Sequence, residues 1–189
     1  MNKEEIQKLE DANNLSEAQQ NAVNVWLISF YFAGIRIADV LQLKWSDIVD
    51  DRLLYRMDKN SKLVSLKVPE KAKKIFAVYR KSQTDNDLIF PYLGNIDLKN
   101  QEEVSVRTQS VTRNLNRALK RASIQLGIKK NMSMQIARHS FGNISGDKIP
   151  IQMLQKLYRH SSVTTTISYQ ANFIHKDADS ALDKVINFQ

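Results

Sequence analysis

Residues 33–48 read AGIRIADVLQLKWSDI, and this stretch decides how the chain is organised. Gly34 stops one helical pattern, since glycine tolerates the left-handed conformation that ends a helix. Ile37, Val40, Leu41 and Leu43 then recur at helical spacing, so a second helix follows immediately, and Trp45-Ser46-Asp47 marks its exit. Upstream, Ser16 with Gln19 three residues later forms a capping-box pattern that starts a helix through Trp26, Leu27, Phe30 and Tyr31. Residues 1–14 are charged, with apolar Ile6 and Leu9, and read as a short amphipathic helix or the end of a linker.

Downstream the period changes. Between Arg52 and Pro69, the residues Leu63, Ser65 and Lys67 alternate with Val64, Leu66 and Val68 around a polar DKNSK turn, which predicts a small β-hairpin. Helical periodicity resumes at Pro69 and runs to about Tyr79. A loop over 85–100 holds the buried stretch Leu88-Ile89-Phe90, and a long basic helix is expected from about Val106 to Leu126, ending at Gly127. Ser133 is expected to cap a helix through Ile136, Phe141 and Ile144, Pro150 to open another up to His160, and a short one to begin at Thr164. Residues 178–186 close the chain as an amphipathic helix. The predicted fold class is therefore mainly α with a small antiparallel sheet at one edge.

With 189 residues, 42% of them hydrophobic and 25% charged, the chain has the composition of one globular domain. The absence of cysteine removes disulfides, thiolate metal sites and cysteine nucleophiles, and suits a reducing cytoplasm. The apolar run from Trp26 to Phe32 is too short to span a bilayer, so no membrane partner is expected. No glycine-rich phosphate loop is present, and His139, His160 and His175 do not form a ligand pair at helical spacing. The net charge of +8 is concentrated. Residues 104–146 contain no Asp or Glu, whereas Arg107, Arg113, Arg117, Lys120, Arg121, Lys129, Lys130 and Arg138 lie within them. Such a surface suits a polyanion, whose counterions are released on binding, although a solvated basic helix face reads the same from composition alone.

Three segments, AGIRIADVLQLKWSDI at 33–48, ARHSF at 137–141 and HSSVTTTISY at 160–169, resemble in this order the signature boxes of the catalytic domain of the tyrosine recombinase, or phage integrase, family. A lysine-bearing hairpin lies between the first and second boxes, as in that family, and the resemblance covers nearly the whole chain. It implies a DNA strand transferase that cleaves and rejoins double-stranded DNA through a 3′-phosphotyrosyl intermediate, with neither cofactor nor metal. The chemistry suits these residue types. Transesterification at a phosphodiester needs a nucleophile, positive donors around the non-bridging oxygens, and a proton for the leaving oxygen. Arginine supplies forked donors that never deprotonate.

Carried over residue by residue, the resemblance implies that Arg36 and Arg138 clamp the scissile phosphate, that His160 donates to one of its oxygens, and that Tyr169 is the nucleophile. Asp39 matches an acidic position that orients the site. Lys59 matches the turn lysine that protonates the 5′ leaving oxygen, with Lys62 as its local competitor. Gln135 stands where the family usually has His or Lys; glutamine cannot act as a base but can donate a hydrogen bond to a phosphate oxygen, and reduced activity is expected. His139 is expected to be a packed structural histidine. Arg159 stands where a glycine is usual. Arg107, Arg113, Arg117, Lys120 and Arg121 are the expected DNA contacts.

The family's N-terminal core-binding domain has no counterpart before residue 15, so the chain is expected to be a catalytic domain at 15–189 excised from a longer bacterial or mobile-element protein such as a transposon or phage integrase. The resemblance further implies a homotetramer on DNA, with the C-terminal helix around Ala181, Leu182, Val185 and Ile186 docked on a neighbouring subunit. Two rivals stay open: a type IB topoisomerase, and a DNA-binding regulator with decayed chemistry, for which Gln135 is the best support.

Overall fold

Eight successive residues of one helix, Ala22 to Ser29, are buried, so this helix forms the axis of the molecule. The structure, a computed structural model, describes residues 1–56, 63–80, 87–158 and 160–170. In chain order they form α1 (Lys3–Glu10), α2 (Glu17–Tyr31), α3 (Ile37–Leu41), β1 (Ile48–Val49), β2 (Arg52–Arg56), β3 (Leu63–Lys67), α4 (Glu70–Tyr79), α5 (Gln101–Gln125), α6 (Ile136–Ser145), α7 (Ile151–Tyr158) and α8 (Val163–Gln170). Helix α2 is the axial one, and α1, α3, α4, α5 and α6 all pack against it. The expected capping box is present at its start: the Ser16 side chain accepts from the Gln19 amide, and the Gln19 side chain accepts from the Ser16 amide.

The edge sheet has three strands in the order β1-β2-β3, both pairs antiparallel, with Leu53 opposite Leu66 and Ile48 opposite Leu53. The two-residue β1 was not legible as a strand, because a period of two needs more residues to register. Its turn is nonetheless encoded. Asp50 and Asp51 both have positive φ (48° and 59°), as a tight two-residue hairpin turn requires, and aspartate tolerates that region better than most residues. Among the described side chains of β2, Leu53 is the fully buried one, and it joins the sheet to the core.

Helix α4 buries Ala72, Ile75, Phe76 and Tyr79, a helical stripe, and Phe76 stacks on Phe32 at the end of α2 with ring centroids 6.1 Å apart. The segment Leu88-Ile89-Phe90 is fully buried, as expected, and lies beside residues 43–45 through bonds from the Trp45 amide to the Asp87 carbonyl and from the Ile89 amide to the Leu43 carbonyl. Helix α5 starts five residues earlier than the sequence pattern suggested: Asn100 caps it by accepting from the Glu103 amide, and the acidic Glu102 and Glu103 sit where the helix dipole favours negative charge. Among the described residues, no helix is long and apolar enough to cross a membrane.

The two faces of α5 give an immediate test. Leu119 is fully buried whereas Arg117 is exposed. Leu119→Ala is expected to lower the unfolding free energy by about 2–5 kcal/mol, and Arg117→Ala by no more than about 0.5 kcal/mol, in urea titrations. Equal costs would show that the helix is rotated from this orientation.

Candidate active site

Helix α6 starts where α2 and α5 hold the preceding loop. The Asn116 side chain of α5 accepts from the Met134 amide at 2.8 Å, and the Trp26 indole of α2 donates to the Ser133 carbonyl at 3.2 Å. The helix then turns Ala137 and Ser140, both fully buried, into the interior. Arg138, between them, is only 6% exposed, and its guanidinium is held from several sides. One terminal nitrogen, Nη1, donates to the Gly34 carbonyl at 3.0 Å; the other, Nη2, donates to the Tyr158 carbonyl at 2.7 Å and lies 3.1 Å from His160 Nε2. The group also sits over the Tyr158 ring, 3.9 Å from its centroid, in a cation–π contact, while the Tyr158 hydroxyl donates to Arg138's own main-chain carbonyl.

Gly34 makes this approach possible. Its φ is +68°, and a Cβ placed there would lie 2.6 Å from Arg138 Cα and 3.0 Å from Arg138 Cβ. A glycine is thus required twice, for the turn and for contact with the α6 backbone. The turn is fixed by the Gly34 amide donating to the Ser29 carbonyl at 2.8 Å and by the Ser29 hydroxyl donating to the Ile35 carbonyl at 2.6 Å. Two residues later Arg36, exposed and in extended conformation, forms the N-cap of α3. Asp39, in the first turn of α3, is half-buried.

His160 completes the cluster from the loop between α7 and α8. Its main chain is gripped by Gln155, whose side chain donates to the His160 carbonyl at 3.1 Å and whose carbonyl accepts from the His160 amide at 3.2 Å. Its Nδ1 lies 3.0 Å from Thr166 Oγ1, and its ring meets the Tyr158 ring edge-on with centroids 5.3 Å apart. Burial, the Arg138 charge and the Arg36 charge, in that order, hold its pKa below the usual imidazole value. Both arginines therefore project positive potential onto one point, although they are far apart in sequence.

The remaining expected site residues divide as follows. Gln135 is the exposed N-cap of α6, one turn before Arg138, and its carbonyl accepts from the Arg138 amide. Tyr169 belongs by its backbone to α8, one turn beyond Thr166; its side chain lies outside the described part. Lys59, Lys62, Arg159, His175 and the segment at 181–186 lie outside the described residues. On α5, Arg113, Arg117, Lys120 and Arg121 are exposed and fall within an arc of about 100°, opposite buried Val111, Leu115 and Leu119. Arg107 sits at the margin of that face, where its Nε donates to the Tyr92 carbonyl.

Two expectations are corrected. His139 is exposed rather than packed, because the phase of α6 turns its neighbours Arg138 and Ser140 inward instead. Its pKa is lowered by partial desolvation first, then by Arg138 and by the chain's amino terminus. Ser133 does not cap α6 with its side chain; its carbonyl accepts from the Ile136 amide, and the helix begins three residues on. Sequence reasoning also missed Tyr158 and Thr166, and read Gly34 only as a helix stop. The one available signal was the position of Tyr158 and Thr166 near His160; their contacts with Arg138 and His160 are long-range or depend on helix phase.

The sequence pattern of the phage integrase family matches residues 1–175. The chain belongs to that family. Tyrosine recombinase XerH of Campylobacter jejuni is 24% identical over 182 residues, covering 89% of this chain and 47% of that protein, so this member of the family spans about half the length of its curated relative. Among solved structures, XerA recombinase superposes with a TM-score of 0.67 at 20% identity, over 100% of this chain and 65% of that one. A post-cleavage complex of XerH with a palindromic difH substrate gives 0.68 at 20% identity, over 100% and 52% respectively. The fold of this phage integrase family member is thus that of tyrosine recombinase catalytic domains, mostly helical with a small edge sheet.

The Gly34 contact is testable against an internal control. Gly127 also has positive φ, +63°, but a Cβ there would meet nothing nearer than the Lys8 Nζ at 3.9 Å. Both alanine substitutions carry the left-handed cost of about 1–2 kcal/mol, so Gly34→Ala is expected to be the more destabilising by a further ~1–3 kcal/mol in chemical denaturation, from overpacking against Arg138. Equal costs would place Arg138 away from Gly34.

Proposed function

We propose that this chain is the catalytic domain of a site-specific DNA recombinase, which cleaves and rejoins strands of double-stranded DNA through a 3′-phosphotyrosyl intermediate. One observation carries the reading: Arg36, Arg138 and His160, far apart in sequence, converge electrostatically on a single point beside the helix that bears Tyr169. Such an arrangement suits a phosphodiester. The anion would meet the positive charge of both arginines, and donors fixed before the reaction stabilise the charge that develops on the equatorial oxygens.

In the proposed reaction the Tyr169 hydroxyl gives up its proton to solvent water and its oxygen attacks phosphorus, while the bond to the 5′ oxygen breaks and that oxygen takes a proton from Lys59 or its competitor Lys62. The forked guanidiniums of Arg36 and Arg138 hold the non-bridging oxygens. Gln135, from the N-cap of α6, adds a neutral donor. The second step reverses the first: a 5′-hydroxyl attacks the phosphotyrosyl linkage and restores both the phenol and the phosphodiester. The covalent link conserves the bond energy, so the cycle needs no external energy source.

The exposed basic face of α5, with Arg113, Arg117, Lys120 and Arg121 and with Arg107 at its margin, would track the DNA backbone. The XerH structure is of a DNA complex, which supports the same partner here. Assembly as a homotetramer, with exchange of the C-terminal segment between subunits, belongs to the same proposal, as does a bacterial, cytoplasmic, DNA-associated setting. Gln135 favours a second reading, a DNA binder whose chemistry has decayed, because no base occupies that position.

A library of nicked suicide duplexes, which lose a 5′ fragment on cleavage, separates the readings. The wild-type chain is expected to form a covalent adduct on denaturing gels, Tyr169→Phe to form none while binding within about twofold of wild type, and Arg36→Ala to slow capture by about 10²–10³-fold. Binding without capture would support the decayed regulator. An adduct formed by the phenylalanine variant would show that another residue is the nucleophile.

A further inference from the structure

We propose that Thr166 is a positioning residue: its buried oxygen accepts from Nδ1–H of the His160 ring and so holds Nε2 against the Arg138 guanidinium. The consequence for catalysis rests on the strand-cleavage reading above; the tautomer itself does not.

The assignment follows from donor and acceptor inventory. Guanidinium nitrogen only donates, so at 3.1 Å from Arg138 Nη2 the His160 Nε2 must be the acceptor. A neutral imidazole with an accepting Nε2 carries its proton on Nδ1, and the atom 3.0 Å from Nδ1 is Thr166 Oγ1. Thr166 is one of the few polar residues of the fold that is fully buried, at 0% exposure, so water cannot take its place. The alternative, a proton on Nε2, would set Nε2–H against an arginine donor, so the Arg138 contact selects Nδ1–H and the buried Thr166 oxygen supplies the acceptor that this proton needs.

The groups around the ring act in the same direction. Arg138 on α6 and Arg36 at the start of α3 disfavour a second proton on it, Tyr158 at the end of α7 supports its edge, and Thr166 on α8 takes its Nδ1 side. A threonine oxygen accepts from Nδ1–H whether the ring is neutral or cationic, so the direction in which Nε2 points does not depend on the ring's charge. Thr166 also lies one turn before Tyr169 on α8. The same hydrogen bond therefore ties the helix of the proposed nucleophile to the phosphate-binding pair.

The bland reading is that Thr166 is a packed β-branched residue whose hydroxyl partner is incidental. Two substitutions separate shape from hydrogen bonding: Thr166→Val keeps the shape and removes the oxygen, and Thr166→Ser keeps the oxygen and removes a methyl group. Long-range proton–nitrogen correlation spectra of the DNA-free, ¹⁵N-histidine-labelled chain report the tautomer, with the His160 signals assigned by their loss in His160→Gln. The wild type and Thr166→Ser are expected to show a protonated Nδ1 and an unprotonated Nε2. Thr166→Val is expected to shift toward the Nε2–H form or a mixture, and to lower the single-turnover rate of covalent capture by about tenfold, with Thr166→Ser restoring most of it. Retention of the Nδ1–H form in Thr166→Val, or its loss in a folded Thr166→Ser, would overturn the proposal. Because the tautomer is read without DNA, a wild-type chain that fails to form an adduct would sink the strand-cleavage reading and leave this one standing.

Discussion

The bond pair from the Arg138 guanidinium to the Gly34 and Tyr158 carbonyls is the constraint on which the site depends. It joins three parts of the chain that have no sequence proximity: the α2–α3 turn, α6, and the end of α7. A planar fork can do this because its donors diverge in fixed directions, whereas an ammonium presents one point of charge. The Tyr158 ring beneath the guanidinium and the Tyr158 hydroxyl on the Arg138 carbonyl close a loop of contacts between the same two residues. Burial makes these contacts obligatory, since a nearly buried cation without its hydrogen bonds would be costly.

From that anchor the electrostatics follow. His160 is placed on Arg138, its pKa is pushed down by burial and then by two arginine charges, and the α8 helix is attached through Thr166. The positive potential is therefore built by the fold. On the strand-cleavage proposal, little of it has to be reorganised when a phosphate arrives, which is the condition under which fixed donors contribute most to a reaction. The rest of the molecule supports this arrangement: α2 is buried along eight successive residues because everything that positions Gly34, Ser133 and Met134 leans on it directly or through α5.

Most of the element pattern was legible because it is written in local periods. The Ser16 and Gln19 capping box, the stripe of Ala72, Ile75, Phe76 and Tyr79, and the buried Leu88-Ile89-Phe90 segment are short-range signals, and each has its expected place. The start of α5 was missed because its first turn is polar and carries no apolar stripe, and β1 because two residues hold no period. The site was legible in its arginines and histidine only through the resemblance of three motifs to a family. What the motifs do not encode is the contact map between them. Nothing in the residues around Gly34 announces that a Cβ would strike Arg138, and nothing near Tyr158 announces a guanidinium over its ring. The exposed His139 beside a buried Ser140 shows the limit in the other direction, since one helical step of phase exchanges a packed side chain for a solvated one.

The most direct test of the central claim keeps the charge and removes the fork. Arg138→Lys leaves a cation on α6 but cannot bond the Gly34 carbonyl, the Tyr158 carbonyl and His160 Nε2 from one planar group. The single-turnover rate of covalent capture from a nicked duplex, measured on protein shown to be folded, is expected to fall by about 10²-fold or more. Capture by the lysine variant within about threefold of wild type would contradict the account, because charge alone would then suffice and the forked anchor would not be what organises the site.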